Sequence, residues 1–267
     1  MSANPSKAYH AHMLRWIRHI RGSLSYIARV SANVLFPPHC VHCRADLHDG
    51  PDDRLLCGEC LNRLAPATWL GCRRCGSEVV DLGFLPDHCP RCWNAPLRFD
   101  TVITLGSYHA GLRDIIYRMK RPTHNGLSVA MGRLLAQRRR DRLLELQSDI
   151  VIPVPMFWAR RFHRGTNNTE VLANCLAKSL DIPARRRILV RHRHTQPQAD
   201  LPPSRRFQNV RGAFRVRRPD VVEGARVLLV DDVLTTGATC SEAAKVLKQA
   251  GAASVAVAVV ARAQGKN

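Results

Sequence analysis

Four Cys-x-x-Cys pairs crowd into one short stretch of this chain, and their spacing repeats. Cys40, Cys43, Cys57 and Cys60 are followed, 32 residues further on in each case, by Cys72, Cys75, Cys89 and Cys92. In each copy 13 residues separate the first pair from the second, which marks an internal duplication of a four-cysteine unit. Two thiolates across a tight turn can share one tetrahedral zinc ion, and a hairpin-length spacer brings a second pair to the remaining positions. Turn-compatible Gly58, Gly71, Gly76 and Pro90 border or fill the pairs. The segment is too short and too poor in apolar residues to fold on a core alone, so metal would supply much of its folding free energy.

The expectation is two structural zinc ions, one within each copy, because sequential pairing closes short loops at the least entropic cost. Interleaved pairing of Cys40/Cys43 with Cys72/Cys75 stays open. His39, His42, His48 and His88 lie nearby, but four complete pairs leave no vacancy for them. A closed thiolate site has no open coordination position, so the metal is not a catalyst. A disulfide scaffold would need an oxidising compartment that nothing else in the chain suggests. A redox Cys-x-x-Cys normally appears once, opening a helix after a strand. Cys175 and Cys240 fall in predicted helices and read as small buried hydrophobes rather than nucleophiles.

Charge is the second constraint. The chain has 41 Lys+Arg against 21 Asp+Glu, a formal net charge of +20 over 267 residues. The excess is concentrated: between Pro155 and Pro219 stand 15 Lys or Arg and three acids (Glu170, Asp181 and Asp200), a net +12. Such a surface attracts nucleic acid, nucleotides or pyrophosphates. With 45% hydrophobic residues the chain has ample core material, so global disorder is excluded. There is no apolar run long enough for a transmembrane helix and no secretory signal pattern, which makes the cytoplasm the expected compartment. Residues 11–35 read as a basic amphipathic helix (Leu14, Ile17, Ile20, Leu24 and Ile27, with arginines between), expected to pack on its own domain.

From Phe99 onward strands and helices alternate. Residues 101–108, 149–154, 188–190, 227–230 and 254–260 are strand-like, and 112–120, 127–146, 170–180 and 240–250 have helical spacing. Wholly apolar strands between helices indicate an α/β parallel sheet flanked by helices. The predicted organisation is a basic segment at 1–36, a small double zinc ribbon at 37–98 and the α/β domain at 99–267.

Ligands in such sheets bind beyond the carboxyl ends of the strands. Asp231 and Asp232 are expected there, just after Arg226-Val227-Leu228-Leu229-Val230. Adjacent carboxylates in a partly dry cleft repel, and a vicinal diol or a magnesium-bound sugar would relieve them. Thr235, Thr236, Gly237, Ala238 and Thr239 then supply hydroxyls and close backbone approach before a helix N-terminus, which is a phosphate cradle.

This segment resembles the phosphoribosyl pyrophosphate (PRPP) motif of type I phosphoribosyltransferases. More closely, residues 37–262 resemble the ComF family of competence-associated proteins, which join a double zinc ribbon to such a domain. The resemblance also rests on Tyr108-x-x-Gly111 leading into a helix that ends at Lys120, and on Pro153-Val154-Pro155 and Arg164-Gly165. It continues through Thr195-x-x-Gln198, Arg206-x-x-Asn209 and Gly212-Ala213-Phe214. It implies a type I phosphoribosyltransferase-like fold in which Asp231 and Asp232 hold the ribose hydroxyls and residues 235–239 the 5-phosphate. The loop 155–165, with Arg160, Arg161, Arg164 and Gly165, would meet the pyrophosphate together with Mg2+. Residues 192–214, carrying Thr195, Gln198, Arg206 and Asn209, would form a mobile flap that closes on substrate. This chain departs from the family pattern at Gly165-Thr166-Asn167-Asn168, where the family usually reads Gly-Phe-Asn-Gln.

Two functions from different classes follow. One is an enzyme in which a nitrogen nucleophile attacks the anomeric carbon of PRPP, with magnesium and the basic loops stabilising the departing pyrophosphate; no residue marks itself as the general base. The other is a non-catalytic accessory factor that grips single-stranded DNA and keeps the phosphoribosyl site as a sensor or relic. Trp69 and Trp93 near the ribbons are candidate base-stacking platforms in the second case, although plain packing is the commoner role. The resemblance implies a place in DNA uptake during transformation, alongside an uptake machinery. Redox chemistry at the cysteines ranks last.

Overall fold

The structure, a computed structural model, describes residues 38–47, 55–66, 69–79, 88–121, 125–156 and 167–263. The predicted helix at 11–35 and the loop residues Arg160, Arg161, Arg164 and Gly165 lie outside the described residues. The chain divides into two compact units, Met1–Cys57 and Gly58–Asn267.

Within the first unit, residues 38–47 form a knuckle closed by an antiparallel bridge between His39 and Asp46. Cys40 N donates to Ala45 O at 2.7 Å, and Arg44 N to Cys40 O at 2.9 Å. The second unit repeats that knuckle with the same 32-residue offset. Gly71 bridges Glu78, Cys72 N donates to Ser77 O at 2.8 Å, and Gly76 N to Cys72 O at 2.8 Å. The turn needs a left-handed residue, which is Arg44 (φ 69°) in one copy and Gly76 (φ 70°) in the other. Gly76 has a further reason to be glycine: a Cβ there would sit 2.8 Å from Val102 Cγ1.

The second unit is built on a four-stranded parallel sheet in the order β1-β6-β5-β2. Its strands are β1 (Thr101–Ser107), β2 (Ile150–Pro153), β5 (Arg226–Leu234) and β6 (Ser254–Arg262). Seven consecutive residues of β6 are buried, so both faces of this strand are covered, as a parallel sheet requires. Two short strands, β3 (Leu189–Arg191) and β4 (Phe214–Val216), make a separate antiparallel pair.

The helices are α1 (Gly58–Leu64), α2 (Ala110–Met119), α3 (Asn125–Arg138), α4 (Arg140–Glu145), α5 (Asn168–Leu180), α6 (Pro203–Val210) and α7 (Ala238–Gln249). Helix α7 buries Cys240, Ala243, Ala244 and Leu247, one stripe at the 3, 4 and 7 spacing of a helix face. Asn167 caps α5 by accepting from Thr169 N. The four thiols of the second cysteine copy belong to the same contiguous core as Leu97, Phe99, Leu229, Leu234 and the buried face of α7.

Two expectations are corrected. The single helix read over 127–146 is broken at Arg139, whose backbone (φ −121°, ψ 24°) leaves helical geometry. Arg139 is buried and donates to the β1 carbonyls of Thr104 and Leu105 at 2.9 and 2.7 Å, an inward reach that interrupts the helix. The acid pair does not follow β5 but lies inside it, because the strand continues to Leu234 and Asp231 pairs in register with Val259 of β6.

Candidate functional site

Strand β5 delivers the acid pair to one end of the sheet. Beside it, β2 ends at Pro153, opposite Val230, and Val154 N donates to Val230 O at 2.8 Å. Asp231 and Asp232 are both half-buried. One Asp231 oxygen accepts from Asp232 N at 2.9 Å, and the other lies 3.7 Å from the Cys240 thiol. Burial, and after it the Asp232 charge, pushes the Asp231 carboxyl up to about 8. Burial and the facing Asp231 likewise push the Cys240 thiol up, so Cys240 stays a protonated, buried thiol at neutral pH, as its sequence setting suggested. Asp232 has a different partner. Lys120, at the end of α2, places Nζ 3.9 Å from its Oδ2.

After Leu234 the chain turns through Thr235, Thr236 and Gly237 into α7. Gly237 takes the left-handed conformation at φ 83°, which glycine accepts without penalty. Its missing Cβ also lets the loop settle on Leu97, whose Cδ2 would lie 2.8 Å from such an atom. Thr236 Oγ1 accepts from Ala238 N at 3.4 Å. The first turn of α7 leaves backbone amides without intrahelical acceptors, the ordinary condition of a helix N-terminus and a match for an anion.

The segment read as a flap is folded against this loop. It contains a short 3-10 turn at Gln198–Asp200, then α6, and ends at Phe214, the first residue of β4. Gln198 Nε2 lies 3.4 Å from Thr239 Oγ1 and donates to Arg206 O at 3.2 Å. Asn209 Nδ2 donates to Gln198 Oε1 at 2.9 Å, and Arg206 Nε donates to Leu201 O at 3.0 Å. Thr195 is buried and accepts from Arg191. Asn168, at the departure from the family pattern, is buried and bonds to Ser128 at 3.3 Å, which ties the start of α5 to α3.

Both cysteine copies close into clusters. The ligand atoms of Cys40, Cys43, Cys57 and Cys60 all lie within 4.8 Å of one another, and so do those of Cys72, Cys75, Cys89 and Cys92. A tetrahedral zinc site with bonds of about 2.3 Å has sulfur–sulfur edges of about 3.8 Å. Observed separations are 3.6 Å for Cys43–Cys57, 3.7 Å for Cys72–Cys92, 3.5 Å for Cys75–Cys89 and 3.8 Å for Cys89–Cys92. The thiols therefore fit zinc, paired within each copy rather than interleaved. All ten cysteines are free of disulfides. The hydrogen bond from Cys72, opposed by burial, lowers the Cys75 thiol while the same bond raises Cys72, so the two thiols share the first deprotonation of the cluster.

Trp69 and Trp93 differ. Trp69 packs against Gly71, with its indole nitrogen buried. Trp93 is 74% exposed, with His88 edge-on at 6.2 Å. The sequence marks Lys120 only as the end of a helix. No local signal gives its partner, because the Lys120–Asp232 approach depends on β1 and α2 returning the chain beside β5. No helix of the described residues is long and apolar enough to cross a membrane.

Thiolate clusters ahead of a parallel sheet, in which an acid-bearing strand runs into a Thr-Gly loop and a helix, define a class: zinc ribbon proteins with a phosphoribosyltransferase-type domain. Residues 31–93 match the double zinc ribbon domain and residues 166–267 the phosphoribosyl transferase domain. The chain is 33% identical over 228 residues to competence protein F of Haemophilus influenzae, covering 84% of this chain and 96% of that protein. It is 32% identical to the DNA utilization protein YhgH of Escherichia coli O6:H1 (83% and 95% covered) and 31% identical to that of Salmonella typhimurium (83% and 95%). The chain belongs to the ComF family of competence-associated proteins.

Proposed function

We propose that this protein acts in DNA uptake or DNA use, and that its α/β site binds PRPP or a related ribose 5-phosphate with magnesium. The names of its relatives support the first half of that reading. The second half rests on one arrangement: Asp231 and Asp232 stand in the second half of β5, ahead of a Thr-Gly turn that opens α7. Carboxylates accept from a ribose diol, and the first amides of α7 with the hydroxyls of Thr235, Thr236 and Thr239 receive the 5-phosphate. Lys120 offsets the second acid, and Gln198 brings the flap to the loop. Magnesium, when bound with the ligand, neutralises the pyrophosphate charge. Zinc in the two thiolate clusters holds the ribbons together and takes no part in chemistry. In this reading the protein works in the cytoplasm, and the domain limits are those set by composition, 37–98 and 99–267.

Calorimetry of the full chain with PRPP and magnesium tests this directly. Saturable binding that Asp231→Asn with Asp232→Asn weakens at least about tenfold is the expected result; wild-type heats indistinguishable from buffer would remove the phosphoribosyl reading.

A second reading, single-stranded DNA binding with the phosphoribosyl site as a sensor, is favoured by a specific observation. Arg185, Arg186, Arg187, Arg205 and Arg211 are exposed, and Trp93 offers an open aromatic face for a base. The two readings are compatible in one molecule. Fluorescence anisotropy with a short oligonucleotide over a salt series separates them, because phosphate contacts make affinity fall steeply with salt.

A further inference from the structure

Arg262 ends β6 beneath the phosphate loop, and its guanidinium spans two parts of the molecule that the sequence keeps far apart. Nε donates to the carbonyl of Cys75, a member of the second thiolate cluster, at 2.7 Å. Nη1 donates to the carbonyl of Leu234 at 3.0 Å, and also to those of Thr235 and Ala263. One side chain therefore holds the knuckle of the second ribbon and the first residues of the phosphate loop at a set separation.

Other contacts join the same two regions. The knuckle residue Arg74 donates to Leu97 O at 2.7 Å and lies over the Phe99 ring at 5.6 Å. Leu97 and Phe99 are the side chains on which Gly237 settles. At the start of α7, Ser241 Oγ donates to Pro96 O at 2.8 Å and accepts from Arg98 N at 2.9 Å. The chain leaving Cys92 is thus fastened to the turn and helix that make the cradle. Packed and hydrogen-bonded networks of this kind transmit a change at one end to the other when the connected element can pass between two arrangements, here the loop held or released. The guanidinium suits this role, since its planar fork fixes both distance and direction.

We propose that Arg262 is a positioning residue that couples the second thiolate cluster to the phosphate loop, so that metal held by Cys72, Cys75, Cys89 and Cys92 sets the shape of the cradle. The ligand-binding consequence rests on the phosphoribosyl reading above, but the coupling itself does not. The second ribbon is then a wall of the ligand site as well as a separate fold. Loss of its zinc would loosen the loop 234–241, and by reciprocity a ligand seated in that loop would raise the affinity of the cluster for metal.

The test uses the full-length chain with Arg262→Met, Arg262→Lys, Cys89→Ser and the Cys89→Ser/Arg262→Met double variant. Zinc content, hydrogen exchange of peptides covering 234–241, and ribose 5-phosphate binding are measured on each. Arg262→Met should keep both zinc ions yet exchange in the loop at least about tenfold faster. Cys89→Ser should lose one zinc and loosen the same peptide to a similar degree. The double variant should be no looser than either single one, because both remove one shared connection. Lysine cannot span both carbonyls, so Arg262→Lys should resemble the methionine variant.

Wild-type exchange in Arg262→Met or Arg262→Lys overturns the proposal, and so do fully additive effects in the double variant. Should Cys89→Ser fail to fold, the two Arg262 variants still decide the matter. If the exchange pattern appears while wild type binds no ribose 5-phosphate, the coupling stands and the phosphoribosyl reading falls.

Discussion

The Gln198 side chain joins the 192–214 segment to the first turn of α7: its amide nitrogen lies 3.4 Å from the Thr239 hydroxyl while its carbonyl oxygen accepts from Asn209 at 2.9 Å. A closing element must lose some freedom when ligand binds, and a residue already bonded to both sides lowers that cost. Gln198→Ala should therefore speed ligand dissociation roughly fivefold, with association nearly unchanged. Stopped-flow measurement with a fluorescent PRPP analogue checks this. An unaltered dissociation rate would mean that the bridge forms without serving the ligand.

The acid pair gives a charge test. Asp231→Asn with Asp232→Asn retains shape but removes the negative charge that a magnesium-bound ribose needs and fixes an amide donor on one side of each group. Each lost charged hydrogen bond should cost about 1.5–3 kcal/mol, hence at least about a tenfold loss of ribose 5-phosphate affinity. Folding and zinc content should be normal. Equal calorimetric affinities in both proteins would make the pair structural.

Asp231 also predicts a pH dependence with a definite sign. Its carboxyl is pushed up to about 8 by burial and by Asp232. The native state then keeps a proton that the unfolded chain loses in the ordinary carboxylate range, so stability falls as pH rises through the interval up to about 8 and levels above it. Asp231→Asn removes this decline. Thermal melts of the unliganded proteins between about pH 5 and about pH 9 should diverge, with the variant gaining on wild type as pH rises. Parallel curves would show that Asp231 ionises normally.

Metal analysis of the intact chain should give two zinc ions, each held within one copy. Cys57→Ser should remove one ion and leave the second cluster's tetrathiolate signature after cobalt substitution. Cys43→Ser combined with Cys57→Ser should keep that signature too; its loss in the double variant would show interleaved sites, because each change would then strike a different ion.

For the DNA reading, charge reversal at Arg205, Arg206 and Arg211 should weaken single-stranded DNA binding and flatten its salt dependence, by about 0.7 in log–log slope for each lost phosphate contact. Unchanged binding across several salt concentrations would move the DNA surface elsewhere.

The strongest features of the fold were legible because they are local. The apolar runs of β5 and β6, the Thr-Gly turn and the cysteine spacing each follow from short-range rules, and the knuckle hydrogen bonds reproduce the 32-residue repeat of the sequence. What escaped depends on distant partners. Arg139 breaks a helix because carbonyls of β1 lie within its reach. The strand containing Asp231 and Asp232 runs on to Leu234 because β6 pairs with it there. Phe214, the last residue of the 192–214 segment, opens β4 and pairs with Arg191 of β3, a contact that no local pattern announces. Lys120 acquires its relation to Asp232 only through chain reversal, and no residue pattern encodes that approach.

The glycine at position 76 has a consequence for the duplicated knuckles. In the first copy the left-handed turn residue is Arg44, which shows that the turn itself tolerates a side chain. In the second, Val102 fills the space that any Cβ would need. The two repeats are therefore no longer interchangeable modules. Grafting residues 70–79 into the place of 38–47 asks only for a compatible turn, whereas the reverse graft drives an arginine stem into β1. A gene-conversion event between the copies, or a designer shuffling them, can succeed in one direction alone.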